Sequence, residues 1–143
     1  MVSDEARVPL RRLGVLTAVL VVVGLVVGGF FLFRGHRSPE QGARLAADSF
    51  LTRLAAGNIA GAYDQLCNET RGRVERDDFV AGIGGRPAVS SYRIDDVVAT
   101  GPQDATVSAA LVDPGGASTA YEMRVTDDRG TWRVCGNPLD AAA

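Results

Sequence analysis

The hydrophobic pattern along this chain changes character twice. From Leu13 to Phe33 runs LGVLTAVLVVVGLVVGGFFLF, an uncharged apolar stretch whose most polar member is Thr17. At helical rise it spans roughly 30 Å, the thickness of a bilayer core. A helix buried in a water-soluble domain would keep a polar stripe, and this one has none; residues 13–33 therefore predict a transmembrane helix. From Ser38 the period becomes 3.6. Ser38-Pro39-Glu40 reads as a helix start, with a serine N-cap, proline in the first helical position and an acid in the first turn. Ala47, Phe50, Leu51 and Leu54 then share one face, and Gly57 stops the helix. Asn58 can cap a second helix that places Ile59, Ala62, Tyr63, Leu66 and Cys67 on one side. A shorter third helix around Arg76 to Ile83 presents Phe79, Val80 and Ile83 before Gly82, Gly84, Gly85 and Pro87 break it.

After Pro87 the period falls to 2. Strands are expected near Val89–Thr100, Ala105–Val112, Ser118–Thr126 and Thr131–Cys135, separated by the turn-forming runs GPQD, DPGGA and DDRG. Apolar and polar residues alternate, as in Tyr121, Met123 and Val125 against Glu122 and Arg124. Such alternation gives an antiparallel meander with one covered face. Helices first and strands after predict an α+β domain, three helices packed on a curved four-stranded antiparallel sheet, preceded by the membrane helix. The expected organisation is a cytoplasmic tail (1–12), the transmembrane helix (13–33), a linker (34–40), the α+β domain (41–137) and a C-terminal tail (138–143).

The flanks of the membrane segment favour a retained signal anchor. A cleavable signal peptide has a shorter apolar core and a small-residue A-x-A site; here the core ends in Phe30-Phe31-Leu32-Phe33 and Arg34 with no such site nearby. Arginines flank both sides, Arg7, Arg11 and Arg12 before and Arg34, Arg37 and Arg44 after, so the positive-inside count is close to a tie. The short leading tail and its Arg11-Arg12 pair favour the N-terminus inside. Gly24 and Gly28 form a GxxxG that permits dimerisation, although glycine is common in membrane helices that do not dimerise.

Composition narrows the chemistry. Net charge is −2, which gives no electrostatic case for nucleic acid. The single histidine, His36, precludes a multi-histidine metal site, and two cysteines without CxxC spacing give no zinc signature. Neither a metal nor a cofactor is expected. Cys67 and Cys135 allow one intramolecular pairing, and a transmembrane helix already offers an oxidising side of the membrane; the pair is the stronger reading over two buried free thiols. It would place the domain outside the cytoplasm.

Three acidic pairs are candidates for acid–base work. Asp77-Asp78 are better read as first-turn acids of a helix, and Asp127-Asp128 as the start of a hairpin turn. Asp95-Asp96 interrupts a strand pattern, as at a bulge, and is the least explained pair. The N-x-T sequon Asn68-Glu69-Thr70 and the cluster Arg71, Arg73 and Arg76 are better read as coincidence and as a solvated helix boundary. Phe50, Tyr63, Phe79, Tyr92, Tyr121 and Trp132 are candidates to line a pocket between helices and sheet, or simply to fill the core.

The run A-x-x-F-L-x-x-L-x-x-G over Ala47–Gly57, the A-Y-x-x-L-C of Ala62–Cys67 and the closing W-R-V-C-G of Trp132–Gly136 resemble the nuclear-transport-factor-2-like superfamily, a cystatin-like α+β cone. The likeness covers about residues 38–137 and is narrower to membrane-anchored, lumazine-binding-like actinobacterial domains of unknown function. It implies a cone fold. Enzymes of the superfamily, isomerases and cyclases, place acid–base residues inside the cone, and no such motif matches here residue by residue. The expectation is a non-catalytic envelope domain that binds a protein partner or a small apolar ligand, with a cone enzyme using Asp95 or Asp96, or a purely structural domain, as alternatives.

Overall fold

A computed structural model describes residues 38–136. The expected transmembrane helix 13–33, its Gly24/Gly28 motif and the tail 138–143 lie outside the described residues. Among the described residues no helix is long and apolar enough to cross a membrane. The domain is α+β: helices α1 (Pro39–Ala55), α2 (Ile59–Tyr63), α3 (Asn68–Arg73) and α4 (Arg76–Gly84) precede strands β1 (Ser91–Ala99), β2 (Asp104–Val112), β3 (Ser118–Asp127) and β4 (Trp132–Cys135). The strands form one antiparallel meander in the order β1-β2-β3-β4.

The start of α1 follows from its capping residues. Ser38 accepts a hydrogen bond from the Gln41 amide at 3.4 Å, and Pro39 opens the first turn. At the other end Gly57 takes φ +71°. The Gly57 N–H donates to Leu54 O and the Asn58 N–H to Arg53 O, the paired bonds of a Schellman motif. The buried side of α1 is built of Gly42, Ala43, Ala46, Ala47, Phe50 and Leu51, and the helix contacts all four strands. Beneath it the covered sheet face carries Ala105, Val107, Ala109, Tyr121, Met123, Val125 and Val134.

Four helices stand where three were expected. The second expected helix ends early, at Tyr63, and Cys67 is not on its apolar face. The reason is tertiary. Gln65 and Leu66 close short turns onto Ala62 and Tyr63, and the chain is then caught by the edge of β4. Val134 N–H donates to Gln65 O at 3.1 Å, Cys67 N–H donates to Val134 O at 2.8 Å, and Leu66 bridges Val134 in parallel. Cys67 becomes the residue before α3; of the arginines expected at a solvated helix boundary, Arg71 and Arg73 end this short helix and Arg76 opens α4.

The disulfide Cys67–Cys135 fastens the same seam, with Cα atoms 5.3 Å apart. Polar bonds flank it. Thr70 Oγ1 donates to Gly136 O at 3.0 Å and accepts from Gly136 N–H at 3.1 Å. The Tyr63 hydroxyl donates to Val74 O at 2.9 Å. Its ring packs on Phe79 at 5.7 Å between centroids, which joins α4 to α2. The Arg76 guanidinium lies over the Tyr63 ring, 5.4 Å from its centroid, and ion-pairs with Asp64. The β3–β4 turn uses Arg129 and Gly130 at φ 59° and 85°, the doubly positive geometry of a two-residue hairpin.

Candidate functional site

The helical layer stops short of one end of the sheet. α1 ends at Ala55, α4 ends at Gly84, and the Gly85–Ala88 segment that follows has no regular structure. At that end β2 is finishing and β3 beginning, with Leu111 paired to Thr119 and Ala109 to Tyr121. The uncovered sheet and the helix ends enclose a cavity of about 590 Å³, within the size range of small-molecule sites. Leu54, Ile59, Ile83, Pro87, Val89 and Leu111 make its walls mostly apolar. Its polar side chains are those of Arg86, Asp113, Thr119 and Tyr121.

These polar groups differ in state. Tyr121 is 5% exposed, and burial pushes its phenol up to about 12, with the Arg86 guanidinium pulling the other way. The hydroxyl thus keeps its proton at any physiological pH. Arg86 is exposed at the rim. Asp113 closes the β2–β3 turn: its Oδ1 accepts from the Ala117 N–H at 2.9 Å, and its carbonyl accepts from the Ser90 hydroxyl at 3.0 Å.

Of the six aromatic candidates, Tyr121 lines this cavity. Phe50 and Phe79 are fully buried in the core, and Tyr63 is buried with its hydroxyl on Val74. Trp132 lies against α1 at Gly42, where it covers the helix. Tyr92 reaches α1 instead, its hydroxyl donating to Asp48 Oδ1 at 2.6 Å and standing 2.7 Å from Thr52 Oγ1. Partial burial, and then the Asp48 bond, push Tyr92 upward. Asp95 falls at a register shift in β1, a bulge, and pairs with Arg93 at 2.6 Å. Asp96 accepts from the Val97 N–H at 2.8 Å. Both acids are exposed and neither lines the cavity. Among the described residues no group of three or more metal-ligating side chains converges.

The sequence pattern places Ile83 and Leu111 on apolar faces but marks neither them nor Arg86 as cavity residues. The available signal was the breaker-rich run G-I-G-G-R-P that carries the end of a helix, which marks where a covering layer ends. Periodicity alone does not say that the ends of α1 and α4 terminate over the same patch of sheet.

No protein-family model matches the chain, and no curated protein matches its sequence. The fold does find a counterpart. A crystal structure from Campylobacter jejuni, of a protein named as an NTF2-like transpeptidase, is similar to it with a TM-score of 0.50 at 10% identity, covering 64% of this chain and 94% of that one. The domain has a nuclear-transport-factor-2-like fold. At this identity the likeness concerns the fold alone.

Proposed function

We propose that this chain is a membrane-tethered, extracytoplasmic, non-catalytic domain that takes a small apolar ligand into the cavity under the ends of α1 and α4. The observation that carries this reading is the mostly apolar cavity of about 590 Å³ lined by the ends of α1 and α4 and by β2 and β3. Tethering is supported by the uncharged run 13–33. An outward-facing domain is supported by the Cys67–Cys135 disulfide, since such bonds persist in oxidising compartments.

A binding role is favoured over catalysis by the side chains at hand. The fold's counterpart is named a transpeptidase, and acyl transfer of that kind needs an activated nucleophile. This chain has no lysine, its only histidine precedes the described domain, and both its cysteines are in the disulfide. Serine–lysine, serine–histidine and cysteine–histidine pairs therefore cannot be assembled from residues 38–136. The exposed Asp95 and Asp96 lie off the cavity, which weighs against the cone-enzyme alternative.

The test is retention of radiolabelled dodecanol by the full chain in phosphatidylcholine nanodiscs, counted above empty nanodiscs. Saturable retention that Leu111→Trp abolishes by filling the cavity is the expected result. Equal counts with and without protein would refute the reading. Protease treatment of intact cells, with gels run unreduced and reduced, tests the topology: the domain should be digested from outside and should migrate faster before reduction.

A further inference from the structure

The walls of the cavity differ in how firmly they are held. On the sheet side Leu111 and Tyr121 lie within the continuous β2–β3 ladder. On the helix side residues 54–57 are fixed by the paired bonds that end α1. The third wall is the connection between α4 and β1, where Arg86, Pro87, Ala88 and Val89 line the cavity without regular structure. Resting on the reading of this cavity as a ligand site, we infer that residues 86–89 form a strap that pivots on Gly85, is latched shut by the Ser90 hydroxyl, and opens to let the ligand in and out.

The strap is tied at its ends and not in its middle. Before it, the Gly85 N–H donates to Ala81 O at 3.2 Å and the Arg86 N–H to Ile83 O at 3.0 Å, closing α4. The Arg86 side chain is engaged as well, so the resting state is closed. After the strap, the Ser90 N–H donates to Val112 O at 2.8 Å, and the Ser90 hydroxyl stands 2.9 Å from Val112 O and 3.0 Å from Asp113 O, two residues of the cavity rim. Between these ties Pro87 has no N–H, and among the described residues Ala88 and Val89 make no hydrogen bond to other backbone groups. Pro87 and Ala88 are exposed. A segment with exposed backbone and few bonds is the first to open locally. Gly85 suits the pivot. It leaves α4 at φ −82°, and a Cβ built there would meet Ala81 O at 3.7 Å and Gly82 O at 3.9 Å, ordinary contacts. Alanine therefore fits the closed strap, but it is denied much of the backbone freedom that glycine offers an opening one. Ser90→Ala removes the latch hydroxyl and leaves the backbone bond in place. Neither Gly85 nor Ser90 lines the cavity, so both substitutions act on passage and not on contact with the ligand.

The experiment loads the full chain in phosphatidylcholine nanodiscs with radiolabelled dodecanol, chases with excess unlabelled dodecanol, and follows the counts above empty nanodiscs in time; equilibrium retention is measured in parallel. Gly85→Ala should slow the loss of label by about twofold to fivefold, the scale of a glycine-to-alanine restriction. Ser90→Ala should speed it by about fivefold, the scale of one lost hydrogen bond. In both variants equilibrium retention should stay within about twofold of the parent, because a gate changes entry and exit alike; that retention also reports that the variants fold. Loss of label at the parent rate in either variant, or a shift of both in the same direction, would overturn the strap while the apolar cavity stood. A change of rate matched by an equal change of equilibrium retention would also overturn it, since residues 86–89 would then hold the ligand rather than admit it. No counts above empty nanodiscs for the parent chain would overturn the strap and the cavity reading together.

Discussion

Replacing Gly42 by alanine should destabilise this domain, although the same change in an ordinary exposed helix stabilises. Gly42 lies in the fourth position of α1 with its face against Trp132. A Cβ built there would stand 2.3 Å from Trp132 Cδ1, 2.3 Å from Nε1 and 2.8 Å from Cε2. Ordinary carbon contacts are about 3.5–4.0 Å, so the indole would have to retreat by roughly 1 Å or more. It has little freedom to do so, because Trp132 is paired to Asp127 in the β3–β4 ladder and packs against the core. Overpacking of this kind costs about 1–3 kcal/mol, against a helix-propensity gain of about 1 kcal/mol for glycine to alanine. The net effect should be a loss of up to about 2 kcal/mol. In a Trp132→Ala background the clash is gone and the same substitution should stabilise by about 1 kcal/mol. A double-mutant cycle from urea denaturation of the full chain, followed by far-ultraviolet circular dichroism, reads the coupling as the difference. If Gly42→Ala raises the urea midpoint equally in both backgrounds, Trp132 is not seated on α1 and the packing argument fails.

Three further outcomes follow from the same structure. Removing the disulfide as Cys67→Ser/Cys135→Ser frees a separation of 68 residues, which in the chain-entropy model lowers stability by about 4 kcal/mol; a change below about 1 kcal/mol in urea denaturation would show that the reduced seam holds itself. The folded Tyr121 keeps its proton to about 12, above its ordinary 10.0, so between these values the unfolded chain has released a proton that the folded one retains. Stability should be intact below pH 10 and fall by roughly 1–3 kcal/mol as pH rises towards 12, and Tyr121→Phe should flatten that fall in denaturation series across the range. Tyr63→Phe removes the donor to Val74 O and should cost about 1 kcal/mol, measurable as a lowered urea midpoint with an unchanged slope.

Much of the fold is written in local pattern. The start of α1 at Ser38-Pro39, its stop at Gly57, the α4 helix over Arg76–Gly84 and all four strands are legible because each depends on residues near in sequence: caps, breakers, and a period of 3.6 or 2. Even the bulge at Asp95 is marked, by two acids interrupting an alternating strand. What the local pattern misplaced is the stretch from Asp64 to Cys67. Its apolar spacing suits a continuing helix, yet β4, more than sixty residues later, offers open backbone groups at Val134 that capture Gln65 and Cys67. A bond between distant strands outweighs a propensity worth tenths of a kcal/mol per residue. The two cysteines announced their pairing by number and setting, but only folding brought their Cα atoms to 5.3 Å. The cavity is the clearest case. Leu54, Ile83, Arg86, Leu111 and Tyr121 come from four separate segments and share no spacing in the sequence. They meet because two helices end over the same patch of sheet, and where a helix ends in space is set by how it packs.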